Sequence, residues 1–543
     1  MDEDQLAKVL AVLDDEPLSM FLMNSFLLHQ DGMHNIPFNV LRLVYFYHVF
    51  VKVRRVHDFP LAEEFVSRVA ALTRDELLRD ILANRHAEAQ DELREALDSL
   101  ASSDYEVTAY VWLSRLFCLV PHYRQIELYQ ILEKESRGQA DSVVWHAIRT
   151  DTVSATRFFE AFVGGNVAMA MDARKPWSTP AMTFGFHHEG IVKTLVEFHV
   201  MHGREPVRDG LGLLIDPTSG LLGASVDLCF GVSKHSETGT LAIHPAARVY
   251  EIKCRYKYLR KKEDPFVQNV LQRHDAEAVV QFIVSHPIPG VEYRPDCETP
   301  SAKECLVSHD TLFRHTLKRY RPVKAPEALR YHLDDLLYLN KGQTSEVIVF
   351  DAKVLRDETI NAEDAVSGGG GGSGETPQSY ADSGWGPESE ESTPELFNRL
   401  DVFEVSRFSL PAFVNPRHHY YFQTLIQQYV LSQYYIKKHP DPERIDCRDL
   451  PSVSLVSAIF RERDSDELGK ELCVGGRVFH CEHVPLFIIV TPVVLDPRFT
   501  RHAVSTVLEN WSRDLSRRTS LPIWVPNAAN EYVVSSVPRP PTP

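Results

Sequence analysis

Three charged residues near the middle of the chain, Asp227, Glu251 and Lys253, are of the types that hydrolyse phosphodiesters with a metal ion. Asp227 lies in an otherwise apolar run, residues 226–230 (VDLCF), where a lone charge is costly to bury. Glu251 and Lys253 stand two apart in residues 248–256, which are rich in β-forming residues, so both side chains would share one strand face. Carboxylate oxygens hold Mg²⁺, with Mn²⁺ as the alternative, and a lysine can orient the attacking water.

Taken alone, a glutamate and a lysine two apart on a strand usually form a solvated face. Asp227 on a neighbouring apolar strand favours the metal site. The pattern resembles the PD-(D/E)xK nuclease core, with one departure: Val226 stands where the proline of that signature would precede the aspartate. Because metal binding depends on the carboxylate, this departure leaves the chemistry intact.

Residues 142–162 contain a candidate phosphate-binding segment. Trp145 and Arg149 lie one helical turn apart, and residues 153–156 are predicted to open a second helix whose N–H groups and hydroxyls could receive a phosphate. The segment resembles the W-x-x-x-R…TAS signature of the phage lambda exonuclease group, in which Arg149 and Ser154 would hold the substrate phosphate. A helix cap beside an ordinary surface arginine would look similar.

Two helices are predicted on either side of Asp227, Glu251 and Lys253 in the sequence, one before and one after them. Residues 184–201 (FGFHHEGIVKTLVEFHVM) form an amphipathic pattern with Glu189 in the first turn, where a glutamate often only complements the helix dipole. Residues 415–435 form a helix rich in Gln and Tyr. Its glutamines, Gln423, Gln427 and Gln428, could contact nucleic acid or a partner, although packing of its aromatic stripe in the core is the commoner explanation.

The order of these residues carries a resemblance that each motif alone does not. Glu189 on a helix, then Asp227, then Glu251 with Lys253 on strands, preceded by the Trp145 segment, resembles the herpesvirus alkaline nuclease, or alkaline exonuclease, family. Residues 202–231 (HGREPVRDGLGLLIDPTSGLLGASVDLCFG) look like its cytomegalovirus, betaherpesvirus, branch, and residues 408–435 continue the likeness. The resemblance covers nearly the whole chain.

This resemblance implies a fold and a set of roles. The fold would be α/β, a restriction-endonuclease-like PD-(D/E)xK core with a central mixed β-sheet flanked by helices, plus a helical N-terminal region. The catalytic residues would be Glu189, Asp227, Glu251 and Lys253, with Asp227 and Glu251 as metal ligands and Glu189 as a third. Ser225 would line the site.

The resemblance also implies an Mg²⁺-dependent alkaline deoxyribonuclease with 5′→3′ exonuclease and endonuclease activity and 5′-phosphate products. It would process linear and branched viral DNA for packaging and recombination. Its partners would be double- and single-stranded DNA and the viral single-stranded DNA-binding protein, with RNA as a further ligand, in the host nucleus and also the host cytoplasm. The alternatives are an RNA-directed nuclease that degrades host messages and a non-enzymatic recombination scaffold.

The charge balance restricts how nucleic acid could bind. With 58 basic and 75 acidic residues the net charge is −17, which excludes binding over the whole surface and requires a local basic groove. Two basic clusters could supply it, and phosphate contact is the better interpretation for the first, which adjoins the proposed metal site. The first comprises Lys253, Arg255, Lys257, Arg260, Lys261 and Lys262, and the second comprises Arg314, Lys318, Arg319, Arg321 and Lys324.

The eight cysteines show no CxxC spacing, which is typical of a reducing compartment without a disulfide framework. His480, Cys481 and His483 suggest zinc, but a fourth ligand at a sensible spacing is missing, so core or surface residues are expected. No membrane partner is expected either, because no signal peptide is visible and the apolar residues 484–495 are short and interrupted by prolines.

Composition divides the chain into four predicted parts. The amphipathic patterns of residues 1–139 predict a helical N-terminal region, and residues 140–356 would form the nuclease core. Residues 357–394, with five consecutive glycines and many Ser, Pro and acidic residues, predict a disordered insertion. Residues 395–543 would complete the nuclease fold.

Overall fold

The computed structural model describes most of the chain from residue 120 onward and part of the region before it. The predicted insertion 357–394, the second basic cluster and most of the predicted N-terminal region lie outside the described residues. The described ranges are 61–72, 120–149, 152–164, 179–201, 210–235, 239–286, 332–354, 399–438 and 450–515, with short stretches within 39–50 and at 291–293, 303, 305–308 and 315–317.

A mixed sheet of eight strands forms the centre of the molecule. In spatial order the strands are β14, β13, β10, β9, β15, β12, β5 and β4, and only the β13–β10 and β12–β5 pairs are parallel. Their bounds are β4 Leu228–Lys234, β5 Leu241–Cys254, β9 Ser345–Val354, β10 Arg399–Leu410, β12 Ser452–Glu462, β13 Glu471–Val474, β14 Arg477–Phe479 and β15 His483–Val493.

Smaller sheets complete the β-structure. β1, β3 and β2 form one of three strands, in which β1 runs parallel to β3 and β2 runs antiparallel to it. β7 pairs with β11, and β6 pairs with β8. Their bounds are β1 Val153–Ser154, β2 Leu214–Ile215, β3 Leu222–Ala224, β6 Val291–Tyr293, β7 Leu306–Ser308, β8 His315–Leu317 and β11 Ala412–Val414.

Helices cover both faces of the large sheet. The named helices are α1 His122–Glu135, α2 Val143–Arg149, α3 Phe158–Gly164, α4 Pro180–Leu195, α5 Pro265–Arg273, α6 Ala276–Val284, α7 Leu333–Lys341, α8 His419–Lys438 and α9 Pro497–Leu515. A further helix runs through residues 63–72. None of the helices in the described ranges is long and apolar enough to cross a bilayer.

Alternation along the strands separates two apolar layers. On β9, Val347 and Val349 lie in one cluster while Ile348 and Phe350 lie in the other, as the two-residue period of a strand requires. Helix α8 packs against the first layer and α4 against the second. The sheet is therefore the buried middle layer, which confirms the predicted α/β fold with a central mixed sheet flanked by helices.

Several local predictions were wrong. Asp227 does not lie within a strand but at a bend between β3 and β4. Helix α4 begins at Pro180, not residue 184, because the Thr179 hydroxyl caps it by accepting a hydrogen bond from the Met182 N–H at 3.2 Å, so Glu189 lies in its third turn. Ser154 lies in β1, four residues before α3, and does not open a helix.

Candidate active site

Strand β5 carries the acid and lysine at the centre of the site. Glu251 and Lys253 pair with Leu455 and Ser457 of the parallel strand β12, and the Glu251 side chain is only 1% exposed. The Lys253 ammonium donates a hydrogen bond to Glu251 Oε1. The predicted common strand face is confirmed, and it lies on the side of the sheet that α8 covers.

Two glutamines of α8 hold the Glu251 carboxylate. Gln423 Nε2 donates to Glu251 Oε1 at 2.5 Å, and Gln427 Nε2 donates to Glu251 Oε2. With the Lys253 bond, three of about four lone-pair positions are used, so Oε2 keeps one for a further partner. Gln427 also donates to the Ser225 carbonyl oxygen at 2.9 Å, and this is the contact through which Ser225 borders the site.

Asp227 lies beside these residues at the start of β4. Its Oδ2 accepts a hydrogen bond from the Ile252 N–H at 2.9 Å. Burial raises the pKa of Asp227 well above its usual range, the carboxylates of Glu251 and Glu189 raise it further, and Lys253 opposes this shift. The structure therefore brings the four sequence-predicted residues within electrostatic reach of one another.

Glu189 reaches the group from the other face of the sheet. It projects from the third turn of α4 and forms an ion pair with Lys193, one turn later, with Oε1 and Nζ 2.7 Å apart. Its side chain is 37% exposed, in contrast to buried Glu251. Glu189 is thus the acid of this group that solvent reaches most easily.

Lys253 remains an ammonium in this arrangement. Burial lowers the pKa of Lys253, but the negative charges of Glu251 and Asp227 outweigh burial, and the net pKa lies above the ordinary lysine value. Its Nζ also lies 5.0 Å from the centre of the Tyr420 ring. The geometry therefore provides a fixed positive charge next to two carboxylates.

The donor set fits a hard divalent cation. Asp227, Glu251 and Glu189 offer carboxylate oxygens, the ligand type that Mg²⁺ prefers. Burial, and then the neighbouring carboxylates, raise the pKa of Asp227 and so disfavour its negative charge, and a cation beside it would oppose both effects. A further oxygen, Gln427 Oε1, is buried and has no hydrogen-bond partner among the described residues.

Arg149 and Ser154 make contacts with other residues of their own segment. The Arg149 guanidinium stacks over the Trp145 ring, 4.4 Å from its centre, and the Ser154 hydroxyl lies 3.0 Å from the Thr156 hydroxyl oxygen. Within the described part of the chain, neither side chain hydrogen-bonds to Glu189, Asp227 or Glu251. Their predicted role in phosphate binding stays a prediction.

The first basic cluster is divided by its contacts. Arg260 pairs with Asp264 and Lys262 with Asp464, so these two cations already have acidic neighbours. The Arg255 guanidinium lies 5.7 Å from the centre of the Tyr420 ring, on the same ring that faces Lys253. Lys253 and Arg255 therefore place positive charge at the end of β5 and directly after it.

Gln423 and Gln427 are candidate site residues that the sequence did not assign to the active site. Gln423 and Gln427 stand four residues apart, which puts them on one face of a helix, and this spacing was the only available signal. Their partner Glu251 precedes them by 172 and 176 residues. Sequence alone could suggest a surface contact but could not assign Glu251 as the acceptor.

Comparison with known proteins shows what the whole chain is similar to. The alkaline nuclease of human cytomegalovirus (strain Merlin) is 63% identical over 100% of this chain and 98% of its own length. Two solved structures, titled as the KSHV SOX RNA complex and a SOX–DNA complex, share the fold at 19% identity. Their TM-scores are 0.60 and 0.59, and they cover 96% and 95% of this chain and 98% and 92% of theirs.

A family model described as viral alkaline exonuclease matches residues 8–529. This match spans nearly the entire sequence and includes all four charged residues of the site. Together with the cytomegalovirus relative, it shows that the chain belongs to the viral alkaline exonuclease family and is a nuclease.

Proposed function

We propose that this chain is an Mg²⁺-dependent deoxyribonuclease with a PD-(D/E)xK site, which degrades linear and branched viral DNA from 5′ to 3′, also cuts internally, and leaves 5′-phosphate products. One observation carries the proposal. Buried Glu251, hydrogen-bonded by Lys253, lies close enough to Asp227 to raise the pKa of that carboxyl group. Two carboxylates and an ammonium in this relation are the groups that metal-assisted phosphodiester hydrolysis uses.

In this mechanism Asp227 and Glu251 are the protein ligands of the cation, with Glu189 as the third carboxylate. When bound, Mg²⁺ supplies Lewis-acid activation of the phosphate and of water. Gln423 and Gln427 fix the orientation of the Glu251 carboxylate. Lys253 orients the attacking water and stabilises the negative charge that develops on the phosphate.

The raised pKa of Lys253 bears on activity at alkaline pH. Its neighbouring carboxylates keep its proton on at neutral and mildly alkaline pH. Lys253 therefore acts as a charge and hydrogen-bond donor, and the attacking water is the group whose deprotonation rises with pH.

Substrate phosphates have two sources of positive charge in this proposal. Burial, and then the positive charge of Arg157, lower the pKa of Arg149, so two guanidinium groups lie near each other. An anion between them would relieve their repulsion, and the Ser154 hydroxyl lies on the same short segment. Arg255 and Lys257, which follow Lys253, would contact the backbone nearer the cleavage point.

The test is a titration of Mg²⁺ into the full chain with an end-labelled linear duplex. Wild type should cut in proportion to cation occupancy, with Mn²⁺ as a substitute. Glu251→Gln and Asp227→Asn should each lose at least about 100-fold in rate, since each removes a ligand charge. Glu277→Gln, which removes an exposed acid that pairs with Arg273, is the matched control and should cut normally. DNA degradation that survives in Asp227→Asn would place the site elsewhere.

Cleavage of RNA is the second candidate function. It rests on the KSHV SOX structure with RNA and on a metal site that does not itself distinguish the two sugars. Matched DNA and RNA duplexes of one sequence would separate the candidates by their relative rates. A non-enzymatic scaffold would cut neither.

The biological setting is proposed from family membership. The enzyme would trim replication intermediates in the host nucleus before packaging, with a further presence in the host cytoplasm. It would act with the viral single-stranded DNA-binding protein in strand annealing. Co-purification of that protein with the full chain from nuclease-treated nuclear extract would test the partnership, and its absence there would contradict it.

A further inference from the structure

A second group of metal-binding side chains lies outside the carboxylate site. His188 of α4, Cys481 of the β14–β15 connection and His483 of β15 each present one donor atom, and these atoms lie within 4.8 Å of one another. His188 Nε2 is 3.0 Å from His483 Nδ1 and 3.2 Å from Cys481 Sγ. Since His188 precedes the others by 293 and 295 residues, only the folded chain assembles the group.

The sequence offered His480, Cys481 and His483 for this chemistry, and the structure replaces one of them. The His480 side chain is 86% exposed, and its Nδ1 lies 3.8 Å from a Glu471 carboxylate oxygen. His188 takes its place and is buried. The group therefore keeps three protein donors, one of which comes from a distant helix, and the fourth position of a tetrahedral ion is left to water.

His188 is oriented as a metal ligand. Its Nδ1 lies 2.6 Å from the Phe184 carbonyl oxygen, which can only accept, so Nδ1 carries the proton and Nε2 presents its lone pair to Cys481 and His483. A backbone carbonyl on the far ring nitrogen is the usual outer partner of a metal-bound histidine.

Hydrogen bonding alone does not satisfy this group. The single lone pair of His188 Nε2 faces two neighbours that could donate, His483 Nδ1 and Cys481 Sγ, and it can serve only one of them well. Cys481 Sγ also accepts a hydrogen bond from the His483 backbone N–H at 3.4 Å. One shared cation would engage all three donors.

The separations suit tetrahedral zinc. Zinc–nitrogen bonds of about 2.0–2.1 Å and zinc–sulfur bonds of about 2.3 Å place tetrahedral ligand atoms about 3.3–3.6 Å apart. The distances from His188 Nε2 to His483 Nδ1 and to Cys481 Sγ, 3.0 and 3.2 Å, are slightly shorter, so small side-chain shifts would admit the ion. A thiol with two imidazoles favours a borderline-soft cation over Mg²⁺.

We propose that His188, Cys481 and His483 bind one Zn²⁺ ion, which ties α4 to the end of β15. Aromatic rings enclose the site: Phe184 stacks on His188 with ring centres 3.9 Å apart, and Phe460 packs edge-on to it at 4.6 Å. The residue after His188 is Glu189, the proposed third carboxylate of the active site. His188 is therefore a positioning residue, and the ion fixes the helix from which Glu189 projects.

The test uses the full chain, purified after expression with added zinc and assayed for metal by mass spectrometry. One equivalent of zinc is expected, and X-ray absorption of the wild type should show one sulfur and two imidazole nitrogens around it. Less than about a tenth of an equivalent, or a zinc ion with oxygen ligands only, would overturn the proposal. The wild-type spectrum does not depend on any variant folding.

Cobalt gives a second readout that the carboxylate site cannot produce. Co²⁺ bound here should show a thiolate-to-metal charge-transfer band, which should vanish in Cys481→Ser and persist in Asp227→Asn and in the exposed control His480→Asn. Zinc affinity in Cys481→Ser and His188→Asn should fall at least about 100-fold, because losing an outer partner alone costs 10–100-fold. A band that remains in Cys481→Ser, or that disappears in Asp227→Asn, would assign the metal to another site.

Discussion

At the scale of single residues, the orientation of Glu251 depends on amide groups from α8. Gln423 and Gln427 donate to different oxygens of the same carboxylate, while Lys253 supplies the charge. A carboxylate held in this way loses little freedom when it binds a cation. In the proposed mechanism the two amides would therefore contribute to catalysis by orienting Glu251.

Replacing Gln427 with leucine should lower the DNA cleavage rate by about 10–100-fold, because Glu251 Oε2 loses its donor and its orientation. Single-turnover rates at saturating Mg²⁺ measure this effect. Gln428→Leu is the matched control, since Gln428 on the same helix donates to the Pro451 carbonyl oxygen and not to Glu251. Equal losses in both variants would mean that the effect comes from helix stability.

A buried ion pair at the end of β12 predicts a pH dependence of stability. Arg461 donates to both carboxylate oxygens of Glu467 at 2.6 and 2.7 Å, and Lys262 donates to it at 2.8 Å. Burial raises the pKa of Glu467, but these two cations outweigh burial and lower it to about 2 from an ordinary 4.5. The stabilisation is therefore complete above about pH 4.5 and is lost as the pH falls toward 2.

Glu467→Gln should cost about 3–5 kcal/mol near neutral pH, because it leaves Arg461 buried without a counter-charge. The variant should also lose the part of the acid dependence that belongs to Glu467. Urea midpoints measured from about pH 6 to pH 3 report both effects. Parallel curves for wild type and variant over this range would exclude Glu467 as the titrating group.

The site residues that sequence predicts are the charged ones. Glu251 and Lys253 could be predicted because residues two apart on a strand share one face. Asp227 could be predicted because a charge in an apolar run is costly to bury unless it has a function. Gln423, Gln427 and His188 could not be identified as site residues from the sequence. Their partners lie far away in the sequence, and glutamine and histidine are common on ordinary helices.

At the scale of elements, helix α4 matters most because it carries both His188 and Glu189. Its true start was signalled by Thr179 and Pro180, a capping residue followed by proline at the first helical position. The sequence interpretation nevertheless began the helix at residue 184, because the stretch before it is rich in Gly, Ala and Pro. Composition therefore outweighed a local capping signal that was correct.

Helix α4 also contains a glycine that the fold does not require. A Cβ at Gly185 would meet no atom within 4 Å, so alanine fits there without a clash. Gly185→Ala should raise the free energy of unfolding by about 0.5–1 kcal/mol, since glycine is the weaker helix former. Thermal unfolding of the full chain measures this, and cleavage rates should not change. A lower midpoint would show that the helix needs the glycine.

Alanine at Gly212 is the opposite case. A Cβ there would lie 1.9 Å from the Glu133 carbonyl oxygen, and this backbone atom of α1 cannot move cheaply. We expect Gly212→Ala to destabilise the protein by about 1–3 kcal/mol in the same unfolding experiment. An unchanged midpoint would mean that α1 and the segment before β2 can separate at little cost.

At the scale of the whole molecule, β9 and β10 are antiparallel neighbours whose adjoining ends pair, Val354 with Leu400. Residues 357–394 connect them in the sequence. Deleting 357–394 leaves six residues, 355–356 and 395–398, to join the two strands, which is long enough for a hairpin loop. The deleted chain should keep its cleavage rate and its thermal midpoint to within a few degrees, as measured by nuclease assay and calorimetry.

The deletion also tests the sequence interpretation of that segment. A large fall in either property would mean that residues 357–394 belong to the fold and not to a dispensable insertion.

Strand order across the large sheet, in contrast, could not be predicted from local patterns. The β5–β12 pairing joins segments about 200 residues apart, and the sequence of neither strand indicates which strand it pairs with.

The parallel pairing of β5 with β12 and the hydrogen bonds from α8 to Glu251 have a consequence for the chain while it is being synthesised. A nascent chain that has reached residue 400 already contains Glu189, Asp227, Glu251 and Lys253, yet it lacks the strand and the two amides that hold Glu251 in place. The ribosome must deliver a further stretch of polypeptide before these groups can be fixed. If Glu251 is the metal ligand proposed above, products terminated before Gln423 would carry all four charged residues without the amides that orient Glu251, and would cut nucleic acid far more slowly than the full chain.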